Sequence, residues 1–416
     1  MPAIESPPRR RVLIFAEGVT LAHVGRSIAL ASILRRVGID VELACDPRYS
    51  RFLARLDFPV LTIRSIPSEM FLEALVRGRP VFSTQTLAAY VREDLSLIEK
   101  SKPDAVIGDF RLSLSVSARV AGVPYVNVTN AYWSPYARPR FRMPGLPAAH
   151  FLGETLGHAL FSFVRPLAFA AHALPMNRVR HAYGLPMLGR DVRRIYCDGD
   201  LTLYADLPEL VPTFDAPPSH RYIGPVPWSP AVSTPSWWDE ATGGEPPIYV
   251  SLGSSGPAKL LPMAIDALTA LGRPIVVATA GRPAELPKRA RVWVADFVSG
   301  EAMAAKACVF VCNGGSPTTH QALLRGIPVV GIADNLDQYL NMHYVERFGA
   351  GILLRADRVR AEEARTATRR AIEDGSMRQS ALTIAELAAR TRPEVEFPSA
   401  IRFLLGLAQS AAALTA

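Results

Sequence analysis

The sequence predicts an α/β fold in two domains. Apolar strand, helix and strand segments follow one another at 11–45 and again at 248–279, which indicates a parallel sheet in each half of the chain. Between them, 224–247 is dense in proline, glycine and serine, as is typical of an interdomain linker. The expected parts are an N-terminal domain over 1–224, a linker over 225–247, a C-terminal domain over 248–392 and a last helical segment over 393–416.

Composition limits the classes of protein that this chain can form. Its 416 residues are 49% apolar, which is enough for a core in each of two domains. No apolar run is long enough to span a bilayer and the first ten residues lack a signal-peptide core, so we expect a cytoplasmic protein. The net charge of +8 suits anionic nucleotides or an acidic membrane surface, and no nucleic-acid-binding motif accompanies it.

The N-terminal domain begins with a strand, a helix and a second strand. The apolar run 11–16 leads through a loop to a helix from about His23 to Val37, and 41–45 follows as a strand. The loop contains no G-x-G-x-x-G, so a dinucleotide fingerprint is absent. His23 lies where the first strand meets the helix. A histidine there can accept a proton near neutral pH, or it can be a solvated helix residue.

A carboxylate is expected at the same edge of the sheet. Asp109 follows the predicted strand 105–107 and precedes a predicted helix over 113–120. The carboxyl ends of parallel strands meet at one edge, so Asp109 is expected near His23, where it could hold the imidazole in orientation. The alternative is a carboxylate that complements the helix N-terminus.

The most informative stretch of the C-terminal domain is 308–331. A buried strand ends at the glycine pair 314–315, and Ser316 and Pro317 suit the N-cap and the first position of a short helix. Free backbone N–H groups, the positive end of the helix dipole and the Thr318 hydroxyl would then face one point and form an anion site. An ordinary turn between a strand and a helix needs the same residues, so this stretch alone leaves both interpretations open.

Two polar side chains follow the next strand. Asp337 and Gln338 lie in A-D-N-L-D-Q-Y-L-N, in the first turn of another predicted helix. Open α/β sheets bind ligands at that edge. A carboxylate beside a carboxamide offers hydrogen-bond acceptors and donors to vicinal hydroxyl groups. An anion site followed by such a pair is what a nucleotide-sugar requires.

The run from Asn313 to Leu354 resembles the donor-binding signature of glycosyltransferase family one, which includes UDP-glycosyltransferases and macrolide glycosyltransferases. The family pattern is H-G-G-x-G-(T/S)-x-x-E-A-L, then G-(V/I)-P, D-Q-x-x-N-A and G-x-G. This chain has N-G-G-S-P-T-T-H-Q-A-L, G-I-P, D-Q-Y-L-N-M and G-A-G. It departs at Asn313, Pro317 and Gln321, where histidine, glycine and glutamate are usual. Asparagine can donate a hydrogen bond but carries no positive charge.

The resemblance implies a GT-B fold, in which two Rossmann-like domains face each other across a cleft. The N-terminal domain would bind the acceptor, the C-terminal domain would bind the nucleotide-sugar, and the last helix, 398–413, would cross back onto the N-terminal domain. The stretch G-V-T-L-A-H-V-G-R-S-I-A-L-A resembles the family's G-H-x-x-P-x-L-A-L-A. By that resemblance His23 is the general base and Asp109 its partner, with Arg26 in place of the usual proline.

The resemblance also assigns a donor site. Its residues are Ser254, Phe297, Val298, Asn313, Gly314, Gly315, Ser316, Pro317, Thr318, Asp337 and Gln338. Phe297 and Val298 match the positions that hold the nucleotide base, although a core phenylalanine at a strand end fits the sequence nearly as well.

The acceptor pocket is expected in the part of the N-terminal domain that spans 130–190. Its candidate lining residues are Tyr132, Trp133, Phe151, Phe161 and Phe163. The alternative is that most of these rings belong to the core, and some could touch a membrane. The segment 150–176 is apolar and helical in character, with an interruption expected at Arg165 and Pro166.

Together these features predict a metal-independent glycosyltransferase of the hexosyltransferase type, and the resemblance implies that it inverts the anomeric carbon. It would move a sugar from a UDP- or dTDP-sugar to a hydroxyl group of a small apolar or lipid acceptor, with no cofactor beyond that co-substrate. The sequence does not decide whether the protein forms a homodimer or contacts the inner face of a membrane. One alternative is a binding or helper protein without turnover, which the departures at Asn313, Pro317 and Gln321 favour. The other is a nucleotide-sugar epimerase, for which we identify no additional acid or base.

Overall fold

The structure is a computed structural model that describes residues 10–142, 154–282 and 285–406. The strands are β1 (Arg11–Ala16), β2 (Asp40–Cys45), β3 (Val60–Thr62), β4 (Ala105–Asp109), β5 (Tyr125–Thr129), β6 (Leu201–Tyr204), β7 (His220–Tyr222), β8 (Ile248–Ser251), β9 (Ile275–Ala278), β10 (Val292–Ala295), β11 (Val309–Cys312), β12 (Val329–Ala333) and β13 (Gly351–Arg355).

The helices lie between and after these strands. They are α1 (Leu21–Arg36), α2 (Ser50–Leu53), α3 (Ser68–Val76), α4 (Thr84–Ser101), α5 (Leu114–Ala121), α6 (Glu154–Ala182), α7 (Val192–Tyr196), α8 (Trp238–Thr242), α9 (Leu261–Thr269), α10 (Gly300–Ala304), α11 (Ser316–Leu323), α12 (Leu336–Phe348), α13 (Ala361–Glu373), α14 (Gly375–Ala388) and α15 (Pro393–Leu404).

Each half of the described chain is built on one parallel sheet. The N-terminal sheet has the order β3-β2-β1-β4-β5-β6-β7 and the C-terminal sheet the order β10-β9-β8-β11-β12-β13. The central strands read as continuous apolar runs because helices cover both faces of a parallel sheet. Val12–Ala16 and Ile248–Ser251, for example, are buried throughout. The predicted α/β fold with two Rossmann-like domains is confirmed.

The strand order reverses once in each sheet, and ligands bind at such switch points in open α/β sheets. In the N-terminal sheet the reversal lies between β1 and β4, where Ala16 pairs with Asp109 in register. In the C-terminal sheet it lies between β8 and β11, where Ser251 pairs with Cys312. The parallel register therefore brings the loops after these strands to one edge of each sheet.

Several predicted boundaries differ from the observed ones. Asp109 is the last residue of β4 rather than a residue beyond it, and α1 begins at Leu21, two residues before His23. Gly315 is the N-cap of α11, and Ser316 is already the first helical residue. The predicted interruption at Arg165 and Pro166 is wrong, because α6 continues through Pro166 and Pro175. Packing against the rest of the domain compensates for the hydrogen bonds that the two prolines cannot donate.

The last helix connects the two halves of the chain. α15 begins at Pro393, five residues before the predicted start, and the structure describes it as far as Leu404. Phe397, Ala400 and Ile401 are buried in the same apolar cluster as residues of β1 and α1. Although α15 follows the C-terminal domain in sequence, it therefore packs on the N-terminal domain.

The two domains also contact each other directly. Trp133 Nε1 donates a hydrogen bond of 2.7 Å to Asp337 Oδ1, and Arg142 pairs with Glu346 at 2.9 Å. One apolar cluster contains Tyr132 and Tyr204 of the N-terminal domain together with residues of α10 to α12. The loops at the two sheet edges therefore face one another.

The packing of α15 can be tested by a substitution at its buried face. Phe397 is fully buried, so Phe397→Ala is expected to lower the free energy of unfolding by about 3–5 kcal/mol through lost contacts and a residual cavity. Urea denaturation monitored by fluorescence measures this loss. The matched control is Phe403→Ala on the same helix, at a ring that is 65% exposed, for which a change of about 0.5 kcal/mol or less is expected. Equal losses at the two positions would contradict the observed packing.

Candidate active site

A cavity of about 600 Å³ lies between the two domains. From the N-terminal side it is lined by the start of α1, the residues after β4 and β5, and one side of α6. From the C-terminal side it is lined by the loops after β8 and β10 and by the N-termini of α11 and α12. All of these segments except α6 lie at the edges where the parallel strands end. The sheet topology therefore determines that the cavity lies between these two edges.

His23 and Asp109 form a hydrogen-bonded pair at the wall of this cavity. His23 Nδ1 lies 2.8 Å from Asp109 Oδ1, and the aspartate is 1% exposed whereas the histidine side chain is 19% exposed. An ionised carboxylate can only accept, so Nδ1 carries the proton and Nε2 is left as the acceptor. This orientation is the one that a general base requires.

Arg26 is the second partner of Asp109. Its Nε donates to Oδ2 at 2.6 Å, its Nη2 donates to Oδ1 at 2.7 Å, and its Nη1 donates to Asn130 Oδ1 at 2.8 Å. Burial alone would raise the pKa of Asp109, but the charges and hydrogen bonds of Arg26 and His23 outweigh it and hold that pKa below its ordinary value. Asp109 is therefore ionised. Its negative charge is shared between His23 and the permanently charged guanidinium of Arg26.

Phe110 fixes the plane of the His23 ring. The two rings are stacked with their centroids 4.9 Å apart and an angle of 6° between their planes. Phe110 has a φ of 62°, in the left-handed region that side chains other than glycine seldom adopt. Its ring also contacts Phe71 and Tyr196 edge-on. The left-handed backbone conformation of Phe110, directly after β4, thus allows its ring to stack on the imidazole of His23.

The N-terminus of α11 opens onto the same cavity. Gly315, Ser316, Pro317 and Thr318 line it, and the N–H groups of a first helical turn have no partner within the helix. The Gly315 N–H already donates to Asn313 Oδ1 at 3.1 Å, and proline has no N–H. The N–H groups of Ser316 and Thr318 are therefore the ones that remain for an anion, with the positive end of the helix dipole behind them.

Gly314 is the one member of the predicted donor set that does not line this cavity. It has a φ of +79°, and a Cβ atom built on it would lie 2.5 Å from Met342. Its carbonyl oxygen accepts a hydrogen bond from Asn341. Gly314 therefore permits the turn between β11 and α11, and it contributes to a donor site only by shaping that turn.

Asp337 and Gln338 lie in the first turn of α12 and both line the cavity. Burial raises the pKa of Asp337, and its hydrogen bond from Trp133 counteracts part of that rise. Gln338 is 2% exposed; its Oε1 accepts from the N–H of Asp334, and its Nε2 has no partner among the described residues. A buried amide without a partner costs free energy until a ligand or a water accepts its hydrogen bond.

The predicted base-binding residues also lie on the cavity wall. The Phe297 ring is edge-on to Phe52 at 5.5 Å between centroids, and the Arg51 guanidinium lies 4.3 Å from its centroid. Val298 lines the cavity beside it and is 5% exposed. Ser254 lines the cavity in the loop after β8. Residues of α2 in the N-terminal domain thus reach the wall at which we expect the nucleotide base.

The two remaining departures from the family pattern have structural partners. Asn313 Nδ2 donates to Ser255 Oγ at 3.4 Å and links the loops after β8 and β11. Gln321 Nε2 donates to the carbonyl oxygen of Trp228 at 2.7 Å. Trp228 lies in the linker and packs on α1 so closely that a Cβ atom at Gly25 would lie 2.4 Å from its ring. The predicted linker is therefore packed against both domains rather than a free tether.

The aromatic residues predicted to line an acceptor pocket lie in different places. Tyr132, Trp133 and Phe161 line the cavity, together with Phe71 and Phe110, which the sequence did not indicate. Phe163 points away from it and is 83% exposed. Phe151 lies outside the described residues. The N-terminal part of the cavity is thus strongly apolar, as a site for an apolar molecule requires.

Two residues that act on His23 were not expected from the sequence. Arg26 was noted only as a replacement for proline, although its spacing of three residues from His23 places both side chains on one face of α1. Phe110 gave no signal, because a positive φ at a phenylalanine cannot be read from sequence. Both residues reach His23 through Asp109 or through ring stacking, and these contacts exist only in the folded chain.

Comparison with known proteins identifies the family. A family model described as erythromycin biosynthesis protein CIII-like, C-terminal domain, matches residues 263–398. A PGL/p-HBAD biosynthesis rhamnosyltransferase of Mycobacterium bovis (strain BCG / Pasteur 1173P2) is 47% identical over 399 residues, or 96% of this chain and 88% of that protein. A protein of the same strain named inactive PGL/p-HBAD biosynthesis glycosyltransferase is 48% identical over 260 residues, or 62% of this chain and 71% of that protein.

A solved structure has the same fold over nearly the whole chain. Spinosyn rhamnosyltransferase SpnG superposes with a TM-score of 0.67 at 20% identity and covers 94% of this chain and 99% of its own. SpnG has also been solved with thymidine diphosphate and with the spinosyn aglycone. The chain belongs to the glycosyltransferase family of the PGL/p-HBAD biosynthesis enzymes. The predicted family, the GT-B fold and the enzyme class are thereby confirmed.

The pairing of Asp109 with Arg26 predicts a pH-dependent loss of stability in Arg26→Met. Without the guanidinium only the hydrogen bond from His23 opposes burial, so the pKa of Asp109 rises and the variant contains a poorly compensated buried carboxylate near neutral pH. We expect the free energy of unfolding to fall by about 3–5 kcal/mol at about pH 7. As the pH falls through the raised pKa, Asp109 binds a proton and the deficit shrinks.

Urea denaturation of the wild type and Arg26→Met at about pH 7 and about pH 5 measures this difference. The matched control is Arg10→Met, which breaks the exposed pair with Asp104 and is expected to cost under about 1 kcal/mol at either pH. A deficit for Arg26→Met that stays constant between the two pH values would show that Asp109 is not the group responsible.

Proposed function

We propose that this glycosyltransferase transfers a hexosyl unit, with inversion and without a metal ion, from a UDP- or dTDP-sugar to a hydroxyl group of an apolar or lipid acceptor. The observation that carries the proposal is geometric. The His23–Asp109 pair and the open N-terminus of α11 line the same cavity from opposite domains. A base and an anion site on opposite walls are what a displacement between an acceptor hydroxyl and a nucleoside diphosphate needs.

In this proposal His23 Nε2 removes the proton of the acceptor hydroxyl as its oxygen attacks the anomeric carbon. The bond from that carbon to the diphosphate breaks in the same displacement, so the configuration inverts. Negative charge then develops on the leaving diphosphate, where the N–H groups of Ser316 and Thr318 and the dipole of α11 can stabilise it. One charge-assisted hydrogen bond contributes roughly 1.5–3 kcal/mol, and in this proposal these donors act in place of a metal ion.

Asp337 and Gln338 are assigned to the hydroxyl groups of the transferred sugar. The Nε2 of Gln338 has no partner among the described residues and can donate, and the Asp337 carboxylate beside Trp133 and Tyr132 offers acceptor oxygens. The identity of the sugar is taken from the relatives, one of which is named a rhamnosyltransferase. Rhamnose is therefore our first candidate for the transferred sugar, and a glycolipid of the PGL/p-HBAD class our first candidate for the acceptor or its product.

A protein without turnover is the second candidate function, and one comparison favours it. A relative of similar identity is named inactive, although it is matched over only 62% of this chain. The departures at Asn313 and Pro317 also reduce the donors available to a diphosphate, because the asparagine oxygen takes the Gly315 N–H. The intact His23–Asp109 pair supports the enzyme instead.

Nucleotide binding tests the donor site without any knowledge of the acceptor. UDP, dTDP, GDP and ADP are each added without metal, and the thermal midpoint of the full chain is recorded. A ligand at about a hundred times its dissociation constant stabilises the folded state by roughly 2.7 kcal/mol, which gives a measurable shift. We expect a shift with UDP or dTDP and none with ADP. The absence of any shift would favour the protein without turnover.

Substitution of His23 tests the base. His23→Ala is expected to lower the transfer rate from the effective nucleotide-sugar roughly 10²–10⁴-fold, since general-base catalysis contributes about that much. The shift of the thermal midpoint by the free nucleotide should be unchanged, because His23 lies on the acceptor side. His181→Ala, at an exposed histidine that does not line the cavity, is the matched control. An unchanged transfer rate in His23→Ala would contradict the proposed role of His23 as the base.

A further inference from the structure

The outward face of α6 is an apolar stripe. Its exposed residues recur at helical spacing: Leu160, Phe163, Val164, Leu167, Ala171 and Leu174. Phe163 is 83% exposed and Leu167 is 73% exposed. Isolated exposed apolar residues are ordinary, but six of them on successive turns of one helix form a contiguous patch of the kind that marks an interaction surface.

Charge selects the kind of partner. From 155 to 190 the sequence contains no aspartate and no glutamate. The stripe ends at Arg178, which is exposed. Arg77, at the rim of the cavity, is also exposed and pairs with Glu73 of α3 at 2.8 Å. Arg165 does not interrupt the stripe, because its guanidinium lies 4.2 Å from the centroid of Phe141. An apolar face that ends at a cation and has no acidic residue after Glu154 is typical of a helix that lies in the headgroup region of an anionic bilayer.

The stripe is continuous with the cavity. Leu160 and Val164 belong to the stripe and also line the cavity, and Phe161 and Phe169 line it from the inner side of the same helix. On the opposite wall, Leu75 lines the cavity directly beside the half-exposed Val76 at the end of α3. An apolar molecule that entered between α3 and α6 would therefore pass from the exposed stripe to the cavity beside the Arg77–Glu73 pair.

We propose that the outward face of α6 docks on an anionic lipid bilayer and that the acceptor enters the cavity from the lipid phase between α3 and α6. No described helix is both long and apolar enough to cross a bilayer, so the contact is with one surface. Phe163 and Leu167 insert below the headgroups, while Arg178 binds a lipid phosphate. The choice of a lipid acceptor rests on the proposed function, whereas docking itself does not.

A second copy of this chain is the competing occupant of the stripe. In a two-fold symmetric dimer the same patch meets itself, so the cations of both copies would gather at one interface to which 155–190 brings no acidic residue. A bilayer rich in anionic lipid neutralises the same cations instead. The charge distribution therefore favours the membrane, and the experiment distinguishes the two.

The test uses the full chain and sedimentation with vesicles. Vesicles of phosphatidylcholine mixed with phosphatidylglycerol should bind the protein, and vesicles of phosphatidylcholine alone should bind it less. Phe163→Ser combined with Leu167→Ser should weaken binding to the mixed vesicles by about tenfold or more, because two exposed apolar side chains no longer enter the lipid. Neither residue lines the cavity, so transfer to a short, water-soluble acceptor should be unchanged.

The matched control is Phe403→Ser, at an exposed phenylalanine of α15 outside the stripe, which should bind vesicles as the wild type does. Absence of vesicle binding by the wild type, or equal binding by the double variant, would overturn the proposal. A wild-type dimer in light scattering that becomes monomeric in the double variant would overturn it in favour of a second copy. Transfer to the soluble acceptor reports separately on the proposed function, so the two can fail independently.

Discussion

The buried charge of Asp109 is the interaction on which the rest of the site depends. A carboxylate at the end of a central strand is costly unless cations and hydrogen-bond donors surround it, and here Arg26 and His23 of α1 supply them. Arg26 also binds Asn130, whose amide donates to Asp206 and whose oxygen lies 3.4 Å from Ser316 of the C-terminal domain. One buried charge thus orients the proposed base and connects it to the wall at which the donor is expected.

Contacts between the two domains also fix the position of the proposed acceptor site relative to the proposed donor site. Trp133 of the N-terminal domain donates to Asp337 of the donor wall, and the linker residue Trp228 is held between Gly25 of α1 and Gln321 of α11. Side chains assigned to the acceptor and to the sugar therefore restrain each other before either ligand is present. Such preorganisation reduces the ordering that ligand binding would otherwise require.

The fold could be predicted because local patterns were sufficient for it. Apolar strands alternate with amphipathic helices, and parallel strands joined by helices place their ends at one edge, so His23 and Asp109 were expected together and the start of α11 at the corresponding edge of the other sheet. The cleft between the two edges was implied by the family resemblance. The course of α6 could not be predicted. Pro166 and Pro175 argue locally against one continuous helix, yet α6 continues through both positions and packs against α4, α5 and α7.

The sequence by itself determined the α/β class, the two domains, the family signature and the residue types that a sugar transfer needs, because these depend on periodicity and on short motifs. Tertiary structure alone decided how those residues act. It gave Asp109 a second cation in Arg26, placed Phe110 in a left-handed conformation against His23, and let Asn313 take one backbone N–H from the anion site. Each of these depends on hydrogen bonds or ring contacts between loops or elements whose geometry only the folded chain fixes, so no local pattern encodes it.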